Sequence, residues 1–169
     1  MRVYNLSKKA AEDFLKIAWS LKPDATESSA SSLPKAKDLK IAELDDPSLA
    51  IIFEKTLKLY FGRRNETIYF PLILDEQVTP YLPSATVDMG AVKFVVNGAN
   101  IMRPGIVSFS GQFKKGALLV IREASHSKAI AIGRATEDFD ILRSMPKGQA
   151  LENLHYVGDK LWEAQKLLV

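Results

Sequence analysis

The pattern of apolar and polar positions in residues 1–82 predicts a small domain of helices and strands. Ser7 is a good N-cap residue, and the four apolar side chains behind it lie at i, i+3, i+4 and i+7 on one helix face: Ala11, Phe14, Leu15 and Ala18. Residues 24–32 contain four serines and no large apolar side chain, which indicates an exposed loop after this helix.

Alternating apolar and polar residues then indicate short strands. Leu39 and Ile41 alternate with polar neighbours, which predicts a short strand there. The apolar run at 49–53 and the alternating run at 57–61 predict two strands of a hairpin that turns at residues 54–56. Helix and strands within one short segment indicate an α+β domain.

Prolines mark the end of this first domain. The segment 69–78 fits a strand or a helix, and because proline is favoured at the first helical position, we predict a helix that begins at Pro71. Pro80 and Pro83 then interrupt the chain, and we place the domain boundary there. The predicted domains are residues 1–82 and 83–163, followed by a C-terminal tail at 164–169.

The second domain shows several short strands with small helices in the connections. Asp88 suits the N-cap of a helix with Val92, Val95 and Val96 on one face, and Gly98 suits its left-handed C-terminal residue. The pair Pro104-Gly105 fits the centre of a type II turn. The other predicted elements are an extended piece at 86–87, strands at 117–122, 129–134 and 151–157, and a helix at 137–145 capped by Thr136. This series predicts a compact, barrel-like sheet.

Composition narrows the class of protein. The 169 residues are 47% hydrophobic and 25% charged, as in an ordinary soluble globular protein, and the net charge is +3. Residues 1–84 are balanced in charge, so the whole basic excess lies in residues 85–169. There is no cysteine, which excludes disulfides, thiolate catalysis and sulfur-ligated metals. No apolar run is long enough to span a bilayer and no signal peptide is evident, so we expect a cytoplasmic protein without membrane contact.

Sequence signals for catalysis or cofactor binding are weak. Gly111 and Gly116 have the spacing of a phosphate-binding loop, but Ala and Leu stand where Lys and Ser/Thr are required. The two histidines, His126 and His155, lack metal-site spacing, and a Ser-His-Asp triad with Asp159 has no nucleophile elbow. We therefore expect no enzyme activity, no cofactor and no metal.

Three stretches of the second domain carry a family resemblance. They are Thr86-Val-Asp-Met-Gly-Ala-Val-Lys-Phe-Val-Val-Asn-Gly-Ala-Asn-Ile-Met-Arg-Pro-Gly-Ile106, then Phe113-Lys-Lys-Gly116, then Ala129-Ile-Ala-Ile-Gly-Arg-Ala135. In this order they resemble the PUA domain of pseudouridine synthases and archaeosine transglycosylase. The ending Leu151-Glu-Asn-Leu-His-Tyr-Val-Gly-Asp-Lys-Leu-Trp162 narrows the resemblance to the malignant T-cell-amplified sequence family and its archaeal relatives.

The resemblance implies a pre-PUA domain followed by a PUA pseudo-barrel, and an RNA-binding protein of translation initiation or ribosome recycling. Its implied partners are the small ribosomal subunit, through ribosomal RNA or the acceptor end of tRNA, and a translation-factor protein. PUA domains hold RNA beside the first helix and the loop after it. The residues of this chain that map there or nearby are Lys93, Gly98, Asn100, Arg103, Pro104, Gly105, Lys114 and Lys115.

Other interpretations stay open on the sequence alone. The glycines and Pro104 serve the fold as readily as a ligand, and the lysines also fit a solvated face. The run 57–64 fits either a basic and aromatic edge, with Lys58, Tyr60, Arg63 and Arg64, or an ordinary exposed strand. The alternative functions are an accessory RNA-binding subunit of a tRNA-modifying enzyme such as archaeosine transglycosylase, and a metabolic enzyme with an incidental PUA-like barrel.

Overall fold

The chain forms two compact units. The computed structural model describes residues 1–22 and 34–169. The first unit consists of residues 1–81 together with residues 163–169, and the second unit consists of residues 82–162. Each unit has its own sheet with helices beside it.

The fold class and the division of the chain can be compared with the predictions from the sequence. The α+β class is confirmed, because both units combine strands with helices. Residues 164–169, which we predicted as a separate tail, are grouped with the first unit by their contacts. The predicted exposed loop at residues 24–32 lies outside the described residues.

The first unit is built on an antiparallel sheet whose five strands lie side by side in chain order. The sheet was partly predicted: its first strand, whose four residues are all exposed, carries no apolar alternation and was missed. The elements are β1 (Arg2–Asn5), α1 (Lys8–Ser20), β2 (Lys40–Glu43), β3 (Leu49–Glu54), β4 (Leu59–Arg64) and β5 (Ile68–Pro71), with 3-10 helices at Ala36–Asp38 and Thr79–Tyr81.

The helix α1 confirms its prediction. The Ser7 side chain accepts a hydrogen bond from the backbone N–H of Ala10 at 3.2 Å, which satisfies one donor of the first turn. Phe14 is buried and meets the ring of Phe61 edge-on, with 5.2 Å between the centroids. The other buried residues of the helix are the predicted Ala11 and Ala18.

The hairpin of β3 and β4 is also confirmed, but β4 is not at an edge of the sheet. It pairs with β3 on one side and with β5 on the other. Tyr60 is only 1% exposed. The basic and aromatic edge, and the ordinary exposed strand, that we considered for residues 57–64 are therefore both wrong.

The helix predicted from Pro71 is wrong as well. Pro71 is the last residue of β5, opposite Phe61 on β4, and no helix occurs between residues 72 and 78. β5 is an edge strand, where a residue without an N–H is tolerated because no further strand needs that donor. Sequence alone could not distinguish this role from a helix start, since proline suits both.

Asp75 organises the chain after β5. Its Oδ1 accepts the backbone N–H of Tyr60 at 3.0 Å, and its Oδ2 accepts those of Val78 at 2.7 Å and Thr79 at 3.1 Å. The side chain is 2% exposed. Burial raises the pKa of this carboxyl group to about 6, although the three N–H donors oppose that shift.

The second unit is built on a six-stranded sheet in the order β7-β11-β10-β9-β6-β8, which curls into a half-barrel. All neighbours are antiparallel except β6 and β9, which are parallel. The elements are β6 (Ser84–Val87), α2 (Met89–Val95), β7 (Ile101–Met102), β8 (Ile106–Ser110), β9 (Leu118–Glu123), β10 (Ala129–Ala135), α3 (Phe139–Ser144) and β11 (Gln149–Tyr156). A last helix, α4 (Lys160–Lys166), begins in this unit.

The core of the second unit includes buried aliphatic side chains of β9 and β10 and an aromatic cluster. Phe109, Phe113 and Phe139 lie with their ring centroids 5.6 to 5.9 Å apart. The strands predicted at 117–122, 129–134 and 151–157 are confirmed within one or two residues at each end.

The predicted cap of α3 is wrong. The helix begins at Phe139 with Asp138 as its N-cap, and Thr136 still belongs to the pairing between β10 and β11. Its N–H donates to the carbonyl of Ala150 at 3.0 Å, and its hydroxyl donates to the same carbonyl at 2.9 Å. Thr136 thus continues the pairing just beyond the end of β10 instead of capping the helix.

Candidate functional site

The helix α2 presents a mixed aromatic and basic face to solvent. Asp88 caps it as predicted, and its Oδ1 accepts the N–H of Ala91 at 2.8 Å. Val95 is buried against the sheet, whereas Lys93 is exposed and Phe94 is 59% exposed. The Lys93 Nζ lies 5.1 Å from the centroid of the Phe94 ring, within the range of a cation–π contact.

Gly98 ends the α2 region in the conformation that its position requires. Its φ of +93° confirms the left-handed residue predicted there. A Cβ at this position would lie 3.1 Å from the ring and the hydroxyl of Tyr156 on β11. Both the angle and the close approach thus give Gly98 a role in the fold.

Asn100 connects the loop after α2 to β11. Its Oδ1 accepts the backbone N–H of Asn153 at 3.0 Å, and its Nδ2 donates to the Oε1 of Gln149 at 3.1 Å. Asn153 in turn donates to the carbonyls of Val95 and Ala99, at 3.0 Å each. These bonds fix the loop, while the Asn100 side chain stays accessible at the surface.

Arg103 makes its hydrogen bonds inside the unit. The guanidinium donates to three carbonyl oxygens: Nε to Leu142 at 2.6 Å, Nη1 to Ile106 at 3.0 Å and Nη2 to Arg143 at 3.1 Å. It also lies 5.4 Å from the centroid of the Phe109 ring. The guanidinium therefore connects the end of α3 to the start of β8, a role that no local sequence pattern indicates.

The type II turn predicted at Pro104-Gly105 is wrong. Residues 103–105 form a 3-10 helix, and Gly105 does not adopt a positive φ. Its carbonyl accepts the N–H of Asp88 at 2.9 Å, and a Cβ on Gly105 would lie 3.2 Å from the Cβ of Ala91. The absence of a side chain at Gly105 thus suits the close approach of the backbone to α2, and not a turn type.

Lys114 and Lys115 lie apart from these residues. Both side chains are exposed, and the Lys115 N–H donates to the Oδ1 of Asp138 at 2.8 Å. Asp138 is the N-cap of α3, whereas Arg103 binds the carbonyls at the other end of that helix. Hydrogen bonds thus join α2, the loop to Asn100 and the 103–105 segment, whereas the backbone of Lys115 is bonded to the first turn of α3.

Phe94 is the surface residue that the sequence reading missed. Its signal was present, because an aromatic residue stood outside the apolar stripe of Val92, Val95 and Val96 on a short helix. Phe94, which lies off that stripe, is not part of the core of the unit and is largely exposed. In a helix beside basic residues, such a ring is a candidate ligand contact.

The remaining titratable clusters give no competing site. His155 is fully buried, and its Nδ1 lies 2.9 Å from the Oδ2 of Asp159. The other oxygen of Asp159 accepts the N–H of Trp162 at 2.7 Å at the start of α4, so this pair has a role in the fold. Among residues 1–22 and 34–169, no cluster could hold a metal ion and no helix is long and apolar enough to cross a membrane.

Comparisons with known proteins support the resemblance read from the sequence. The family model of the PUA domain matches residues 83–157. Malignant T-cell-amplified sequence 1-B of Xenopus laevis is 32% identical over 77% of this chain and 73% of its own length. The chain belongs to the malignant T-cell-amplified sequence family of PUA-domain proteins. A further family member, Translation machinery-associated protein 20 of Saccharomyces cerevisiae, is 30% identical over 77% of this chain and 74% of its own length.

Solved structures extend the family likeness over both units. A protein from Pyrococcus horikoshii covers 96% of this chain and 99% of its own, with a TM-score of 0.74 and 27% identity. A PUA domain protein from Thermoplasma acidophilum shares the fold, with a TM-score of 0.68 over 96% of this chain and 99% of its own, at 23% identity. These likenesses show the fold, and the PUA domain itself is shown over residues 83–157.

Proposed function

We propose that the chain is a non-enzymatic RNA-binding protein of the translation apparatus and that its second unit holds the RNA. Three facts support this. The PUA match covers that unit, a relative is named for the translation machinery, and the basic excess of the sequence lies in the same half of the chain. The same relatives disfavour the alternative of an accessory subunit of a tRNA-modifying enzyme.

The observation that carries the proposal is the exposed face of α2. Base stacking on an aromatic ring contributes about 1–3 kcal/mol per base and tolerates any base, because every base has a π face. The Phe94 ring is free to stack, and the Lys93 ammonium beside it is placed to meet a phosphate. Asn100 and Pro104, in the chain that follows α2, are exposed as well.

The RNA is either ribosomal RNA of the small subunit or the acceptor end of tRNA, engaged during initiation or recycling. Both offer unpaired bases, which a small stacking surface recognises better than a duplex. The pre-PUA unit would dock on the ribosome or on a translation-factor protein. The net charge of only +3 favours recognition by a few shaped contacts over a broad electrostatic field.

Salt dependence of RNA binding tests the proposal. A triple variant, Lys93→Ala, Lys114→Ala and Lys115→Ala, should weaken binding to a tRNA acceptor hairpin and to single-stranded RNA. Each lost phosphate contact should reduce the slope of log K against log salt by about 0.7–0.9. Arg103 is left unchanged because its guanidinium supports the fold. The matched control changes three exposed lysines of α1: Lys8, Lys9 and Lys16.

Phe94→Leu separates stacking from charge. It should lower the affinity about fivefold or more while leaving the salt slope unchanged, because stacking involves no counterion release. If both the triple lysine variant and Phe94→Leu bind RNA like the control, or if the unaltered protein binds neither RNA, the proposal is wrong.

A further inference from the structure

The connection between β9 and β10, residues 124–128, is a rigid loop whose side chains face solvent. The Glu123 carboxylate at its base is 7% exposed and accepts three backbone N–H groups: those of Ser125 and His126 at 2.8 Å and that of Lys128 at 3.0 Å. The bonds from these N–H groups, that of Lys128 foremost, lower the pKa of Glu123. The backbone of the loop is thereby held in one shape.

Ser127 shows how strongly this shape is imposed. Its φ of +56° is left-handed, a conformation that a serine adopts only when its surroundings stabilise it. Its N–H donates to the Glu123 carbonyl at 3.0 Å, and its own carbonyl accepts the Nη1 of Arg122 at 3.0 Å. A shorter turn with glycine would connect the same strands without these supports.

The strand register places the loop beside the proposed RNA surface. β6 and β9 are parallel and pair Val87 with Glu123, so their carboxyl ends lie side by side. The Ala124 N–H donates to the carbonyl of Val87 at 3.0 Å. The next residue, Asp88, donates its N–H to Gly105 at 2.9 Å, so the loop, the start of α2 and the 103–105 segment meet at one end of the sheet.

The chemistry of the loop suits a polyanion rich in hydrogen-bonding groups. Ser125, His126, Ser127 and Lys128 are all exposed and offer two hydroxyls, an imidazole and an ammonium. The carboxylates that lie next to them are already engaged, Glu123 by the loop backbone and Asp88 by the cap of α2. Both carboxylates keep their negative charge, but their oxygens face backbone N–H groups, whereas the exposed groups of the loop are the hydroxyls, the imidazole and the ammonium.

We propose that the 124–128 loop is a second wall of the RNA-binding surface, in which Lys128 contacts a phosphate and His126 a base or a ribose 2′-hydroxyl. This inference rests on the proposed function, because it assigns a further contact for the same ligand. Histidine stacks on bases and bonds to them, and lysine binds phosphate without geometric demands. The rigid backbone limits the conformational entropy lost on binding.

The double variant His126→Ala and Lys128→Ala tests the loop. The probes are a tRNA acceptor hairpin with a single-stranded end and a single-stranded oligoribonucleotide, each bound by the full chain. Kd should rise about fivefold or more, and the salt slope should fall by about 0.7–0.9 through Lys128. Lys16→Ala on α1 gives the same loss of one charge and should leave both quantities unchanged. Equal melting temperatures would show that the variants are folded.

A second measurement does not depend on variants. Photocrosslinking of the same RNA to the unaltered protein should yield crosslinked peptides that contain His126. Unchanged affinity of the double variant, when Phe94→Leu weakens binding, would overturn the loop proposal and leave the proposed function intact. The loop proposal would also be overturned if the double variant bound RNA normally and lost binding only to an acidic polypeptide, tested as a second polyanion. Failure of the unaltered protein to bind RNA would overturn both.

Discussion

Two cationic side chains of the second unit, those of Lys93 and Arg103, have different surroundings although both follow α2 or lie on it. Lys93 ends in solvent above an exposed ring, and Arg103 ends among three carbonyl oxygens. The residue type indicates a charge in both cases. The surroundings of Arg103 depend on Leu142 and Arg143, about 40 positions later in the chain, and no local sequence pattern reveals such contacts.

Asp75 provides a prediction at the same scale. Because burial raises the folded-state pKa from 3.8 to about 6, the folded protein holds this proton more tightly than the unfolded chain. The resulting stabilisation is present below about pH 4 and is lost as the pH rises through about 6, by up to about 1.4 kcal/mol per pH unit between the two values. Chemical denaturation of the protein at several pH values measures this slope.

Asp75→Asn should remove that pH dependence and lower the free energy of unfolding. An amide has one acceptor oxygen where the carboxylate has two, so at least one of the N–H groups of Tyr60, Val78 and Thr79 is left without its partner. The expected loss is about 1–3 kcal/mol. Glu76→Gln, at the exposed neighbouring position, is the control. An unchanged pH slope in Asp75→Asn would show that the carboxyl group is not its source.

At the scale of elements, local sequence signals were sufficient to predict a helix or strand where each signalling residue suits only one structural role. The capped helices α1 and α2 and the hairpin of β3 and β4 followed from caps, spacing and alternation. The predictions failed where a residue suits two roles. Pro71 ends an edge strand instead of starting a helix, and Gly105 allows a close approach instead of a positive φ.

Gly98 and Gly158 separate backbone conformation from crowding. Both have a positive φ, +93° and +97°, but only Gly98 has a neighbour, Tyr156, within 4 Å of an added Cβ. Gly158→Ala should cost about 1–2 kcal/mol of stability for the left-handed conformation alone. Gly98→Ala should cost more, because Tyr156 must also move. Denaturation midpoints measure both, and an equal loss would contradict the role given to Tyr156.

At the scale of the whole molecule, the family and fold could be predicted because the motifs of the second unit occur in order over a long stretch. The candidate surface could be predicted only in part. The N–H of Asp88 at the start of α2 binds the carbonyl of Gly105, whereas the N–H of Lys115 binds Asp138 at the first turn of α3. The exposure of Phe94 and the internal hydrogen bonds of Arg103 were not predicted. Such differences arise from tertiary packing, which a one-dimensional pattern does not contain.

Binding of RNA of the translation apparatus through the α2 face of the second unit is the proposal on which the rest depends. It can be tested by crosslinking the full chain to RNA in cells, sequencing the RNA and identifying the crosslinked peptides. We expect small-subunit ribosomal RNA or tRNA, joined to peptides within residues 83–157 that include Phe94. Recovery of no RNA above background, or crosslinks confined to residues 1–81, would contradict it.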